Sequence, residues 1–118
     1  MEIIYNKKYK LICTDLKAAT RFFGGDKKLA ESLLSRVNAI VQADTIKDII
    51  CTPAFRFHSL HGKMEGLFSI DVKSSRYKWR LVLRPLDENK MPFVPCKIDQ
   101  IASIVTIVSI EEVSAHYE

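Results

Sequence analysis

The spacing of apolar and polar positions changes partway along this chain. Residues 2–5 (EIIY) read as a short strand, and residues 8–13 and 15–23 as two short helical stretches. Gly24-Gly25 stops the second stretch. Asp26 then suits the N-cap of a third helix. Over 27–43, Leu29, Leu33, Leu34, Val37, Ile40 and Val41 recur at helical spacing, which predicts the best helix of the chain. A further turn or two at 45–51 ends before Pro53.

After Pro53 the period becomes that of strands. Residues 55–60 lead to Gly62, and Gly62 and Gly66 bracket a turn. In 67–73, Phe68, Ile70 and Val72 alternate with Ser69, Asp71 and Lys73; Ser74-Ser75 form a second turn. In 77–84, Tyr77, Trp79, Leu81 and Leu83 share one face, and Lys78, Arg80, Val82 and Arg84 the other. Residues 85–95 are a polar loop with three prolines. Residues 101–110 are apolar on both faces, as in a strand buried within a sheet. Residues 111–117 suit a final short helix. Helices first and strands afterwards predict an α+β fold in one domain spanning 1–118. An N-terminal helical hairpin packs on one face of a small antiparallel sheet, with a short C-terminal helix. The other sheet face, bearing Arg80 and Arg84, is left to solvent.

Charge sharpens this picture. The net charge is +4, but it is unevenly spread. Residues 53–85 hold seven Lys/Arg against two Asp/Glu, and residues 86–118 hold two against six. A basic middle segment attracts polyanions, nucleic acid above all, although surface charge also serves solubility. No apolar run approaches the ~20 residues that cross a bilayer. The start lacks the pattern of a signal peptide, so a cytoplasmic protein is expected. Cys13, Cys51 and Cys96 form no close pair, which points to reduced thiols and neither a disulfide framework nor a zinc site.

The densest polar cluster is Arg56, His58, His61, Lys63, Arg76, Tyr77, Lys78, Arg80 and Arg84, all within predicted hairpins. Arg80 and Arg84 stand ~13 Å apart along one strand, a spacing suited to two non-adjacent phosphates. Cutting RNA without a metal needs a base for the ribose 2′-hydroxyl, a cation for the phosphorane and an acid for the leaving oxygen. Histidine suits the proton transfers, and a guanidinium suits the phosphate. His58 and His61 are candidates for the first role, Arg80 for the second. Arg56, Lys63, Arg76, Lys78 and Arg84 are candidate RNA contacts. No cofactor motif and no acidic cluster for Mg²⁺ is present in the sequence. Plainer roles stand beside these. His58 can be a satisfied hairpin residue, His61 an exposed turn residue, and Arg80 a structural ion-pair partner. Trp79, and Tyr77 with it, read as core.

The runs Arg56-Phe-His-Ser-Leu-His-Gly62, Leu67-Phe-Ser-Ile-Asp-Val72 and Tyr77-Lys-Trp-Arg-Leu-Val-Leu-Arg-Pro85 resemble a known pattern. It is that of plasmid-maintenance killer toxins of the HigB type, in the RelE/ParE superfamily: R-x-H-x-L-x-G, a spacer to Gly, an alternating strand, then Y-R-L-I-F-x-P. The resemblance implies a helical hairpin against a small curved antiparallel sheet and ribosome-dependent cleavage of mRNA. It also implies a cognate helix-turn-helix antitoxin of the HigA type. Arg80 matches the family's strand arginine, His58 the motif histidine, and Lys63 lies near a basic phosphate-binding position. Two positions depart. His61 stands where lysine is common, and Glu112-Val113-Ser114 stands where many members have Asp-Tyr-His. His116 is the shifted candidate for that C-terminal catalytic histidine. A gyrase-poisoning toxin of the ParE branch, or an inactive relative that keeps antitoxin binding, are the alternatives.

Overall fold

A computed structural model describes residues 1–115. The chain runs β1 (Glu2–Tyr5), α1 (Lys10–Thr14), α2 (Leu16–Phe22), α3 (Lys27–Gln42), α4 (Ile46–Ile50), β2 (His58–Ser59), β3 (Phe68–Asp71), β4 (Trp79–Leu86), α5 (Ile98–Ile101) and β5 (Ile107–Ala115). Short 3₁₀ turns at Pro53–Phe55 and Gly62–Met64 flank β2. Two acidic caps start the main helices: Asp15 accepts from Ala18 N at 2.8 Å, and Asp26 from Leu29 N at 3.0 Å. Between α2 and α3 the chain reverses at Gly24 and Gly25, whose φ values of 68° and 97° lie where a side chain is disfavoured.

The five strands form one sheet in the order β1-β5-β4-β3-β2. Neighbours are antiparallel except β1 and β5, which run parallel. The α+β class holds, with a helical hairpin on one sheet face. Leu29, Ala30, Leu33, Val37 and Ile40 of α3 are buried in the cluster that also takes Ile70, Leu81, Leu83, Val108, Ile110 and Val113 from the sheet. Leu33, Ile40, Ile70, Leu81 and Ile110 are wholly buried. Val41, part of the expected periodic set, is exposed.

Three segments differ from expectation. The apolar run at 101–110 is strand only from Ile107. Ile98, Ile101, Ala102 and Val105 instead reach the core at helical spacing, around α5. Periodicity cannot separate helix from strand in a continuously apolar run. The short C-terminal helix is therefore α5, because 111–115 continue β5 and, past a bulge at Glu111, pair with β4 as far as Ala115 opposite Trp79. Finally, residues 55–57 form no strand, since Arg56 takes left-handed backbone angles.

β4 also runs past its expected end at Arg84, to Leu86. Pairing with β3 stops at Leu83, so Pro85 lies where β4 has one partner strand and a missing N–H is tolerated. No helix among the described residues is long and apolar enough to cross a membrane.

Candidate nucleic-acid interface

Alternation along the strands fixes which side chains leave the core. Ile70, Leu81, Leu83 and Val113 face the helices. Ser69, Asp71, Arg80, Val82, Arg84 and Ser114 therefore point the other way. Cross-strand pairing lines them up: His58 opposite Ser69, Asp71 opposite Arg80, and Arg80 opposite Ser114. Arg80 and Arg84 thus share the face away from the helical hairpin, as the alternation predicts, but that face is not left to solvent as expected: Ser69, Asp71 and Val82 are wholly buried and Arg80 nearly so. The 60–67 turn covers part of it, with Leu60, Leu67 and Met64 clustered around Val82, the residue midway between the two arginines.

Asp71 organises one end of this face. It is completely buried. Its Oδ1 lies 3.1 Å from Arg80 Nε and its Oδ2 lies 3.3 Å from Arg56 Nη1. The Arg80 contact is an ion pair whose angle does not make a hydrogen bond, so Oδ1 accepts none among the described residues. Arg80 Nη1 donates to Tyr77 O at 2.6 Å and Trp79 O at 3.0 Å. The Arg80 side chain is only 13% exposed, so much of it serves the fold; the Arg56 side chain is 49% exposed. A third guanidinium, from Arg36 of α3, donates to Asp71 O at 2.9 Å and Lys73 O at 3.0 Å. It also stacks over Phe55, 4.5 Å from the ring centre. Burial pushes the Arg36 pKa down, and the nearby Asp71 charge opposes that.

His58 is held by both ring nitrogens. A carbonyl can only accept, so Nδ1 donates to Arg56 O at 2.9 Å. In the neutral ring, Nε2 then accepts the hydroxyl of the buried Ser69 at 3.0 Å. This is the satisfied-hairpin arrangement.

The remaining candidates are more dispersed. His61 and Lys63 sit exposed at the 3₁₀ turn, and His61 borders a cavity of about 430 Å³ with Ser59, Glu65 and Lys97. Arg84 lies toward the other end of the face, beside Gly66, Pro92 and Phe93. Arg76 and Lys78 are exposed on the β3–β4 turn. Lys78 leans over Trp79, which packs against Phe22 and Phe23 at centroid distances of 5.4 and 5.1 Å. Tyr77, read as core, is instead 38% exposed with Lys73 over its ring. His116 lies outside the described residues.

The structure therefore gathers Arg56, His58 and Arg80 and leaves His61, Lys63 and Arg84 flanking. The sequence reading missed Asp71, Ser69 and Arg36. The signal for Asp71 and Ser69 was present, since they are the polar half of the alternation in β3. Arg36 was hidden on a helix whose apolar face drew attention. Ser114 stands where the resemblance expects the catalytic histidine. Its buried Oγ has no hydrogen-bond partner among the described residues.

No family model matches the chain, and no curated protein matches it. Among solved structures, a YoeB/ParE toxin from Agrobacterium tumefaciens superposes with a TM-score of 0.50. The match covers 99% of this chain and 100% of that one at 14% identity. Over nearly its full length, the chain is thus similar in fold to a YoeB/ParE toxin.

Proposed function

We propose that this chain is the toxin of a type II toxin–antitoxin system, and that it cuts messenger RNA on the ribosome. The observation that carries the reading is the Arg56–Asp71–Arg80 group on the helix-free face of a toxin-like fold. RNA would lie along that face, with its backbone against Arg56 and Arg80. Lys63, Arg76, Lys78 and Arg84 would add flanking charge. The 2′-oxygen attacks phosphorus as a histidine takes its proton. The 5′-oxygen leaves with a proton from an acid, giving a 2′,3′-cyclic phosphate and a 5′-hydroxyl. His61, exposed at its turn, is ready for a proton transfer; His58 would first have to release Ser69. His116 is the candidate for the remaining acid or base. No metal or organic cofactor enters this scheme.

The HigB-type assignment rests on the motif at 56–85. It brings with it one toxin domain, a cytoplasmic setting and a HigA-type antitoxin, acidic where it meets this basic face. The test is inducible expression of the intact chain and of Arg56→Asn, with growth and mRNA ends followed together. Arrest with new mRNA ends is expected from the intact chain, and a much weaker effect from the variant. Equal arrest by both with uncut mRNA contradicts the nuclease assignment.

One observation favours a second reading. Arg80 is largely committed to Asp71 and to backbone carbonyls, and Ser114 replaces the expected histidine beside it. A non-nuclease toxin that poisons gyrase would then show DNA breaks with intact mRNA. A relative that only binds antitoxin would show no arrest at any expression level.

A further inference from the structure

Two guanidinium groups, from the turn before β2 and from β4, meet at a single buried carboxylate, and a third, from α3, holds the backbone carbonyl of the same residue. We propose that Asp71 is the positioning residue of a two-arginine cradle, formed by Arg56 and Arg80, that takes one phosphodiester of single-stranded RNA. The proposal rests on the RNA-directed reading above and assigns Asp71 a role that the motif at 56–85 does not.

The geometry divides the donors. Arg80 gives Nε to Asp71 and Nη1 to two carbonyls, and Arg56 gives Nη1 to Asp71. Nη2 of Arg80, and Nε and Nη2 of Arg56, take no partner among the described residues. A guanidinium fixed on one side offers its remaining N–H groups in a set direction, the geometry that phosphate oxygens match. The local charge favours an anion as well: two arginines and one aspartate leave the cradle positive, with the Arg36 cation behind it, and a phosphodiester is negative.

Two further features hold the cradle in place. Arg36 ties the carbonyls of Asp71 and Lys73 to α3, so the end of β3 that carries Asp71 is anchored from behind. Arg56 itself has φ 48° and ψ 53°, a left-handed conformation that a residue with a Cβ rarely adopts. Such conformations persist where the surrounding structure requires them, and they concentrate at ligand-binding positions. Here the turn aims the guanidinium at Asp71 and still leaves half of the side chain in solvent.

The charge change in Asp71→Asn separates positioning from bulk electrostatics. The substitution makes the face more positive, so a purely electrostatic surface would bind RNA as well or better. A cradle that depends on Asp71 would bind worse. The experiment is equilibrium binding of a labelled single-stranded RNA oligonucleotide to the full chain, without ribosomes, over a salt series. Variants are read at a temperature where circular dichroism shows them folded. Asp71→Asn is expected to weaken binding about tenfold, the loss of roughly one charge-assisted contact. Arg56→Asn keeps a residue that tolerates the left-handed turn, and it should flatten the slope of log K against log salt by ~0.7, one phosphate's worth. Arg56→Lys, which keeps the charge but not the fork, should fall between Arg56→Asn and the unmodified chain in affinity.

Unchanged or tighter binding by folded Asp71→Asn overturns the proposal. If that variant does not fold, the Arg56 pair decides: wild-type affinity and slope in both overturn it. No measurable RNA binding by the unmodified chain overturns it too. Absence of mRNA cleavage in cells, with these binding effects present, removes the nuclease reading and leaves the cradle standing. Cleavage together with RNA binding indifferent to all three substitutions does the reverse.

Discussion

Arg80 and Arg76 are both basic residues of the β3–β4 hairpin, yet they differ sharply in what they support. Arg80 faces a carboxylate with no solvent exposure, and breaking a buried pair leaves an uncompensated charge. Arg80→Ala should therefore cost roughly 3–5 kcal/mol in a urea unfolding experiment, toward the lower end because Arg56 still faces Asp71. The exposed Arg76→Ala should stay within about 0.5 kcal/mol of the unmodified chain. Similar losses for the two would show that the Asp71 pair is not structural. The sequence placed Arg80 on the helix-free face correctly but could not show its partner. That required the register that sets Asp71 opposite it.

The cysteines give a second test at this scale. Burial pushes the Cys13 thiol up to about 12 from an ordinary value of 9.0. Between those values the unfolded chain has lost a proton that the folded chain keeps. Folding stability should therefore fall as pH rises from about 9 toward about 12, and a Cys13→Ala variant should lose less over that range. An equal decline in both would contradict the assignment. At neutral pH a thiol reagent should modify the exposed Cys51 readily and reach the buried Cys13 only on unfolding.

Among the elements, α3 was the most legible and β5 the least. The apolar residues of α3 recur at one spacing, a capping aspartate precedes them, and two glycines mark the boundary. Each local signal agrees with the packing that results. Asp26→Ala should cost about 1 kcal/mol through the lost cap, measured by chemical denaturation. Leu33→Ala, at a fully buried position facing the sheet, should cost about 2–5 kcal/mol. Comparable small losses for the two would mean that α3 is not packed as described. The stretch around α5 and β5 was misread for a definite reason. Its apolar residues satisfy both periods, and only the packing of Ile98, Ile101 and Val105 against the core separates helix from strand. The strand character of 111–115 came from pairing with β4, a tertiary effect that local composition did not carry. The left-handed turn at Arg56 was equally silent in the sequence, because no glycine or asparagine stands there to announce it.

At the scale of the whole molecule, the two sheet faces are dissimilar. One is sealed by the helical layer, and the other carries the arginines, a buried aspartate and a fixed histidine. The likeness to a YoeB/ParE toxin is one of fold at 14% identity, so the chemistry must be argued from the side chains. The basic middle and acidic end of the sequence made the concentration of cations in residues 53–85 legible. The grouping of Arg56 with Arg80 through Asp71 became visible only in three dimensions. In the proposed function this face grips RNA and cuts it on the ribosome. The most direct measurement incubates the purified chain with ribosomes carrying a labelled mRNA, beside the same mRNA alone. A discrete fragment ending in a 2′,3′-cyclic phosphate is predicted only when ribosomes are present. Full-length mRNA in both samples, with the chain equimolar to ribosomes, would contradict it.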